Sequence, residues 1–342
     1  MKKGGLILLT TILLTYGYQG YKAIYNYIND EVKIKTSAVL SDITDSVISV
    51  PLEAPNGRAI QQIRRVQRDE NNIFLLAEHR LLHFDISGKF INQPASDISD
   101  RDDVFIADYT IDADRQQIIV IDSLRYMSKY DYSGNLISRV KITQPWHKIT
   151  AFAYHSGYIW ATTETLIKNT DNDSYNISHD LCQLDMEMNG ISNQRLHYAD
   201  VGRNIFKSFC INELLVDENS VYAYSSPIDM DNLLNDTLFI LQSHNVSMMN
   251  RNRYYGQACV YPVRKSKRYM MSTHHYSADD CHTFCYDNSN NTAYMLSEGF
   301  EDDFYNTGNI TDLQPMDIYH TSYCFVKQES DAPVLFIATL KS

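Results

Sequence analysis

Between residues 46 and 342 the apolar positions fall into short runs rich in β-branched and aromatic residues, separated by polar turns. That is the pattern of strands joined as hairpins. The clearest case is 116–140, QQIIVIDSLRYMSKYDYSGNLISRV. It predicts a strand at 118–121, a second at 127–130, a tight turn at 131–134 and a return strand at 136–140. Earlier in the chain, NNIFLLAEHRLLHFDISGKFI repeats this layout, with Phe84-Asp85-x-x-Gly88 matching Tyr130-Asp131-x-x-Gly134. In such a turn the Asp carboxylate accepts from backbone N–H groups two residues on, and Gly takes the position with φ > 0. Asp85, Asp131 and Asp122, which ends a strand, therefore read as turn residues before they read as ligands.

Further strand–turn–strand pairs follow: 60–66 with 73–76, 104–111 with 118–121, 149–154 with 158–162, 209–216 with 221–224, 258–263 with 269–272, and 316–320 with 323–326. A unit of short strands recurring every ~44–60 residues is the mark of a repeat fold such as a β-propeller. The outer halves of the units are less regular. The third keeps Leu184-Asp185 followed by Asn189-Gly190, the fourth 237–241, and the fifth 284–287 and 292–296. The last offers only 333–340 and is one strand short. The run VISVPL at 47–52 has no neighbour to pair with and supplies the missing strand, closing the ring and removing exposed sheet edges. The expected fold is all-β: a six-bladed β-propeller of four-stranded antiparallel blades over 46–342, closed by pairing the N-terminal strand with the last blade.

Ahead of it, Lys2-Lys3 precede an apolar run from Leu6 to Leu14. A basic flank and a run of that length read as a secretory signal, short of the roughly 20 apolar residues of a membrane span. No small-x-small cleavage site follows, and Tyr21, Ile24, Tyr25 and Ile28 continue at helical spacing. Residues 1–30 are thus expected as a signal peptide or as an uncleaved anchor over 4–28, with 31–45 as a polar linker. Either reading exports the remainder to the periplasm or cell surface, with membrane contact only through that helix. The formal net charge of -12 argues against nucleic-acid binding, which needs a basic surface to neutralise phosphates. Six cysteines, all in the C-terminal half, permit disulfides in an exported chain or serve as small buried apolar residues.

The recurring I-x-x-D…Y/F-D-x-x-G-x-x-I, each unit preceded by a polar hairpin, resembles the six-bladed β-propeller proteins of Bacteroides-type cell envelopes. These are similar in turn to NHL-repeat propellers. The likeness is best over 47–142 and extends more loosely over 46–341. The chain departs from the family at 92–100, where a G-x-G-P-x-E-Y-like segment is common, and in having no Cys near the end of the N-terminal run to take a lipid. The resemblance implies an extracytoplasmic propeller and brings no catalytic motif.

Candidate chemistry is sparse. Pro145-Trp146-His147 connects the second unit to the third, and such connections reach the propeller face beside the axis. Trp146 there either stacks on a ligand, with His147 as a polar partner, or wedges between blades as packing. His79 and Arg125 occupy equivalent turns of the first two units and point to the same rim. Imidazole and thiolate are zinc ligand types, and the densest cluster, 274–285, supplies the weak metal candidates His275 and His282. Cys281 and Cys285, with three residues between them on a strand, are roughly 13 Å from each other at the usual rise. No metal site is predicted. No nucleophile elbow, phosphate loop or dinucleotide fingerprint is present. Two functions stay open. The first is a monomeric binding propeller with no cofactor, taking a peptide, glycan or partner protein. The alternative is a hydrolase or lyase holding a divalent cation in the central channel, where three or more Asp, Glu, Asn or His side chains would converge.

Overall fold

The computed structural model describes residues 33–100, 103–170, 174–202, 208–217, 220–229, 233–234, 237–242, 245–250, 259–260, 264–275, 281–329 and 332–342. The expected signal or anchor segment lies outside them. Among the described residues no helix is long and apolar enough to cross a membrane.

The chain is an all-β propeller. Five sheets share one plan of four antiparallel strands, laid side by side in sequence order in four of them and completed by an N-terminal strand in the fifth. Sheet I comprises Ile63–Arg68, Asn72–Ala77, Arg80–Asp85 and Phe90–Asn92. Sheet II comprises Ile106–Asp112, Gln117–Asp122, Tyr126–Asp131 and Leu136–Lys141. Sheet III has the longer strands Lys148–His155, Tyr158–Lys168, Tyr175–Leu184 and Gly190–Gly202. Sheet IV is Ser208–Asp217, Ser220–Asp229, Thr237–Gln242 and Asn245–Asn250, with Leu233–Leu234 as a short extra strand. Sheet V joins Gln314–Pro315, Ser322–Glu329 and Ala332–Leu340 to Thr44–Pro51.

The expectation of six equal blades is corrected to five of this plan. The remaining large sheet, built on Tyr269–His275, Cys281–Asp287 and Thr292–Leu296, departs from it at both edges. Its inner edge is two separate two-residue strands, Cys259–Val260 and Arg264–Lys265. Its outer edge is taken by Lys33–Lys35 running parallel to Thr292–Leu296. The 31–45 stretch, expected as a polar linker, thus contributes that strand and buries Leu40 and Ile43 completely. A second correction concerns 316–320, expected as a strand. Asp317 accepts from the amides of Tyr319, Thr321 and Ser322 and from two hydroxyls, so its carboxylate bends this stretch into a loop.

Closure of the ring falls where the sequence pattern puts it. Thr44–Pro51 pairs antiparallel with Ala332–Leu340, from Thr44 opposite Leu340 to Pro51 opposite Val334. Hydrophobic clusters then join successive sheets. Phe325, Phe336, Tyr269 and Leu296 pack the irregular sheet on sheet V. Val50, Leu75, Leu335 and Ile337 pack V on I. Phe74, Ile106 and Val120 pack I on II, Ile119, Phe152 and Ile159 pack II on III, and Leu181, Leu214 and Val221 pack III on IV. Each fully buried side chain of this size contributes about 1.5–3 kcal/mol. Tyrosine adds directional ties. Tyr109, fully buried in sheet II, donates to the Phe74 carbonyl of sheet I at 2.7 Å, and Tyr132 donates to Asp69 at 2.8 Å. His83 bridges Asn72, Asn92 and the Tyr132 carbonyl, and burial lowers its pKa.

The Asp turns behave as their chemistry requires. Asp85, Asp131 and Asp185 each accept from the amide four residues on, and all three pKa values are lowered, chiefly by hydrogen bonds from the side chains of Ser87, Asn135 and Asn189. Gly88 and Gly134 hold the left-handed position at φ 88° and 91°, and in sheet III Met188 holds it at φ 67°. Gly88 has a second reason to be glycine. A Cβ there would lie 2.2 Å from the Pro51 carbonyl oxygen of the closing strand, whereas at Gly134 the nearest atom is 3.6 Å away. Gly134→Ala is therefore expected to cost about 1 kcal/mol from backbone strain alone, and Gly88→Ala about 3 kcal/mol or more. Urea unfolding of the two variants checks this, and equal losses would contradict it.

Candidate functional site

The strands nearest the axis enclose a cavity of about 760 Å³ lined by residues from all five regular sheets and, through Arg264, from the irregular one. The 317–321 loop closes one end. It is held from three sides: the Arg68 amide donates to the Met316 carbonyl, the Val216 amide to the Ile318 carbonyl, and the Tyr319 hydroxyl lies 3.2 Å from His155 Nδ1. Asp317, Ile318 and His320 thereby form the floor. Val66, Ile121, Ile149, Leu214 and Phe152 make up apolar stretches of the walls.

The polar lining is unusual for an acidic protein. Arg64, Arg65, Arg125, Lys148 and Arg264 stand there with Asp108, Asp122, Asp312 and Asp317. Each carboxylate is engaged. Arg65 Nη1 donates to both oxygens of Asp108, at 2.6 and 2.7 Å, and reaches across the ring to the Phe152 carbonyl at 3.2 Å. Asp122 accepts from the Leu124 and Tyr126 amides and from Arg139 at 2.7 Å, a guanidinium outside the cavity. Asp312 binds Arg264, which also donates to the Leu313 carbonyl at 2.7 Å. Asp317 caps the floor loop. The cations at the mouth are held otherwise. Arg64 donates to the Ile106 and Ala107 carbonyls at 3.4 and 3.0 Å, and Arg125 to the Gln144 carbonyl. Neutral carbonyls fix these guanidinium groups without cancelling their charge.

Of the residues singled out from sequence, Trp146, His147 and Arg125 line this cavity. Trp146 is 8 % exposed and packs between sheets II and III with Ile119 and Phe152, so most of its ring serves the interface and its edge serves the cavity. His147 is exposed, and its amide donates to the Glu164 carbonyl at 2.6 Å. Burial raises the Glu164 pKa, while Lys148 and His147 pull it down. His79 does not line the cavity. Its ring packs against Phe105, 5.1 Å between centroids, and Phe105, 44 % exposed, does line it. Arg64, Arg65, Phe105 and Lys148 are the residues that sequence reasoning missed. For Arg64 and Arg65 the signal was present in IQQIRRV, where polar residues occupy the strand position that a packed sheet would fill with aliphatics.

His275 and His282 lie on paired strands, His275 opposite Cys281 and His282 opposite His274, and so occupy successive pairs of one ladder. No group of three or more His, Cys, Asp or Glu able to hold a metal occurs among the described residues. Cys182, Cys285 and Cys324 are buried free thiols. Burial pushes the Cys182 pKa up to about 11 and that of Cys324 to about 12, which keeps them protonated and unreactive near neutrality.

The fold has solved counterparts. The structure of a Bacteroides fragilis protein described as exported superposes with a TM-score of 0.57 at 10% identity, over 91% of this chain and 100% of that one. The fold is a β-propeller. BamB from Moraxella catarrhalis follows at TM-score 0.44 and 10% identity, covering 86% of this chain and 99% of its own. The Pan2 WD40 domain of Neurospora crassa gives 0.45 and 13%, covering 82% and 76%. No protein-family profile and no curated protein sequence matches the chain.

The Arg65–Asp108 pair ties the neighbouring sheets I and II beside the axis, with side chains 29% and 24% exposed. Breaking it leaves one half-buried charge uncompensated. Arg65→Ala and Asp108→Ala are each expected to cost about 2 kcal/mol, and the double variant less than their sum by about 1 kcal/mol or more. A double-mutant cycle by chemical denaturation checks this, and strict additivity would contradict it.

Proposed function

We propose that the chain is an extracytoplasmic binding propeller that takes a peptide, glycan or partner protein at the open mouth of its axial cavity. One observation carries the reading: a cavity of about 760 Å³ to which every large sheet contributes, closed at one end and cationic and aromatic at the other. Dead-end cavities of this size with a few placed polar groups are the usual form of a ligand site. Each carboxylate of the lining is already bound to a guanidinium or to turn amides, which favours recognition over the alternative of cation-assisted hydrolysis. The Bacteroides fragilis counterpart described as exported, together with Lys2-Lys3 and the apolar run after them, supports export of this chain. On this reading the Tyr269–Leu296 sheet serves as a sixth, irregular blade, and its split inner edge brings Arg264 to the axis.

The test is a thermal-shift screen of peptides and glycans against the wild type and against Ala107→Trp, which fills the cavity from its wall. Ligands that stabilise the wild type by several degrees should leave the variant unmoved, while the two apo proteins melt within a few degrees of one another. Equal shifts in both would place binding elsewhere.

A further inference from the structure

The cations at the mouth form one continuous arc. Arg64 of sheet I lies against the Ile106 and Ala107 carbonyls of sheet II. The residue before these, Phe105, receives the Ser123 amide on its own carbonyl. Ser123 begins the turn that ends in Arg125, whose guanidinium donates to the Gln144 carbonyl. Gln144 leads through Trp146 and His147 to Lys148 of sheet III. Bonded backbone thus joins Arg64, Arg125 and Lys148 along one side of the cavity, with exposed Phe105 between them. None of the three forms a salt bridge to a carboxylate among the described residues. In a chain of net charge -12, these three cations, with Arg64 and Arg125 held by neutral carbonyls and Lys148 near the Glu164 carboxylate, form a local positive field at the edge of the cavity.

Deeper in the same cavity, Gln67 on the innermost strand of sheet I is 5 % exposed, and its Oε1 has no hydrogen-bond partner. A buried amide oxygen without a donor is costly, and it marks a place where an incoming N–H or O–H is stabilised. The aliphatic walls ask for an apolar group, the arc asks for anions, and Gln67 asks for a hydrogen-bond donor.

We propose that the cavity recognises an acidic peptide segment, seating one apolar side chain between the walls while flanking carboxylates lie on the arc of Arg64, Arg125 and Lys148. This rests on the cavity being the binding site. An acidic saccharide would satisfy the arc and Gln67 but leaves the aliphatic walls without a partner. Arg64 uses two of its N–H groups on carbonyls and keeps the rest of its fork for a carboxylate.

The test measures fluorescence anisotropy of labelled five-residue probes with the full-length chain. The probes are Glu-Glu-Leu-Glu-Glu, its glutamine counterpart Gln-Gln-Leu-Gln-Gln, its glycine counterpart Glu-Glu-Gly-Glu-Glu, and a labelled oligogalacturonate as the acidic saccharide. The leucine-centred acidic probe should bind best, with the glutamine and glycine counterparts each weaker by about tenfold or more. Its affinity should fall steeply from 25 to 300 mM salt, a readout that needs no variant. Arg64→Gln/Arg125→Gln/Lys148→Gln should weaken it by about tenfold or more, with Arg64→Lys/Arg125→Lys recovering part of the loss. Equal binding of the acidic and glutamine probes, or no binding by any probe, overturns the proposal. Binding of the oligogalacturonate in preference to the peptides, abolished by Ala107→Trp, overturns the peptide class and leaves the cavity as the site. Acidic-peptide binding indifferent to both Ala107→Trp and the triple variant removes the cavity itself.

Discussion

The pairing of Thr44–Pro51 with Ala332–Leu340 is the contact on which the rest of the molecule depends. A row of sheets packed face to face has two unpaired ends, and only a strand brought from one end of the chain to the other removes them. The contact is reinforced beyond its ladder. The Leu52 amide donates to the Pro333 carbonyl, and the Glu53 amide to the Gly88 carbonyl, so the closing strand is stitched to sheets V and I at once. The closeness of Gly88 to Pro51 is the steric side of the same arrangement.

Once the ring is closed, the innermost strands no longer need an apolar face toward the axis, and charge can be placed there. The charges that appear are sorted by position. Arg65 binds Asp108 and ties sheet I to its neighbour sheet II, and Arg264 binds Asp312 just ahead of the first strand of sheet V. Arg64 and Arg125 at the mouth are held by carbonyls and keep their charge. The first set stiffens the wall, and the second is available to a ligand. The 317–321 loop, bent by Asp317, completes the division by closing the far end.

Much of the fold was legible because it rests on local rules. The Asp-x-x-Gly turns, the hairpin runs and the orphan strand at 47–52 are each readable from neighbouring residues. The 316–320 stretch was misread because its apolar and aromatic residues suit a strand, and the bend comes from one Asp satisfying several donors further along. The irregular sheet was smoothed into a sixth equal blade because nothing in 258–267 signals a break in the inner edge, nor in 31–45 a parallel partner for Thr292–Leu296. The site was half legible. Inter-sheet connections pointed to Trp146, His147 and Arg125. Arg64, Lys148 and Gln67 belong to strands, and their convergence exists only after ring closure.

Amide hydrogen exchange of the native full-length chain tests that dependence most directly. If closure sets the ring and its cavity, the amides of Ile48 and Val50 exchange only by global unfolding, at the same free energy as those of Val120 and Ala161, buried on strands paired on both sides. Fast exchange at Ile48 and Val50, while Val120 and Ala161 stay protected, would mean that the sheets hold their places without the closing strand, and would contradict the account.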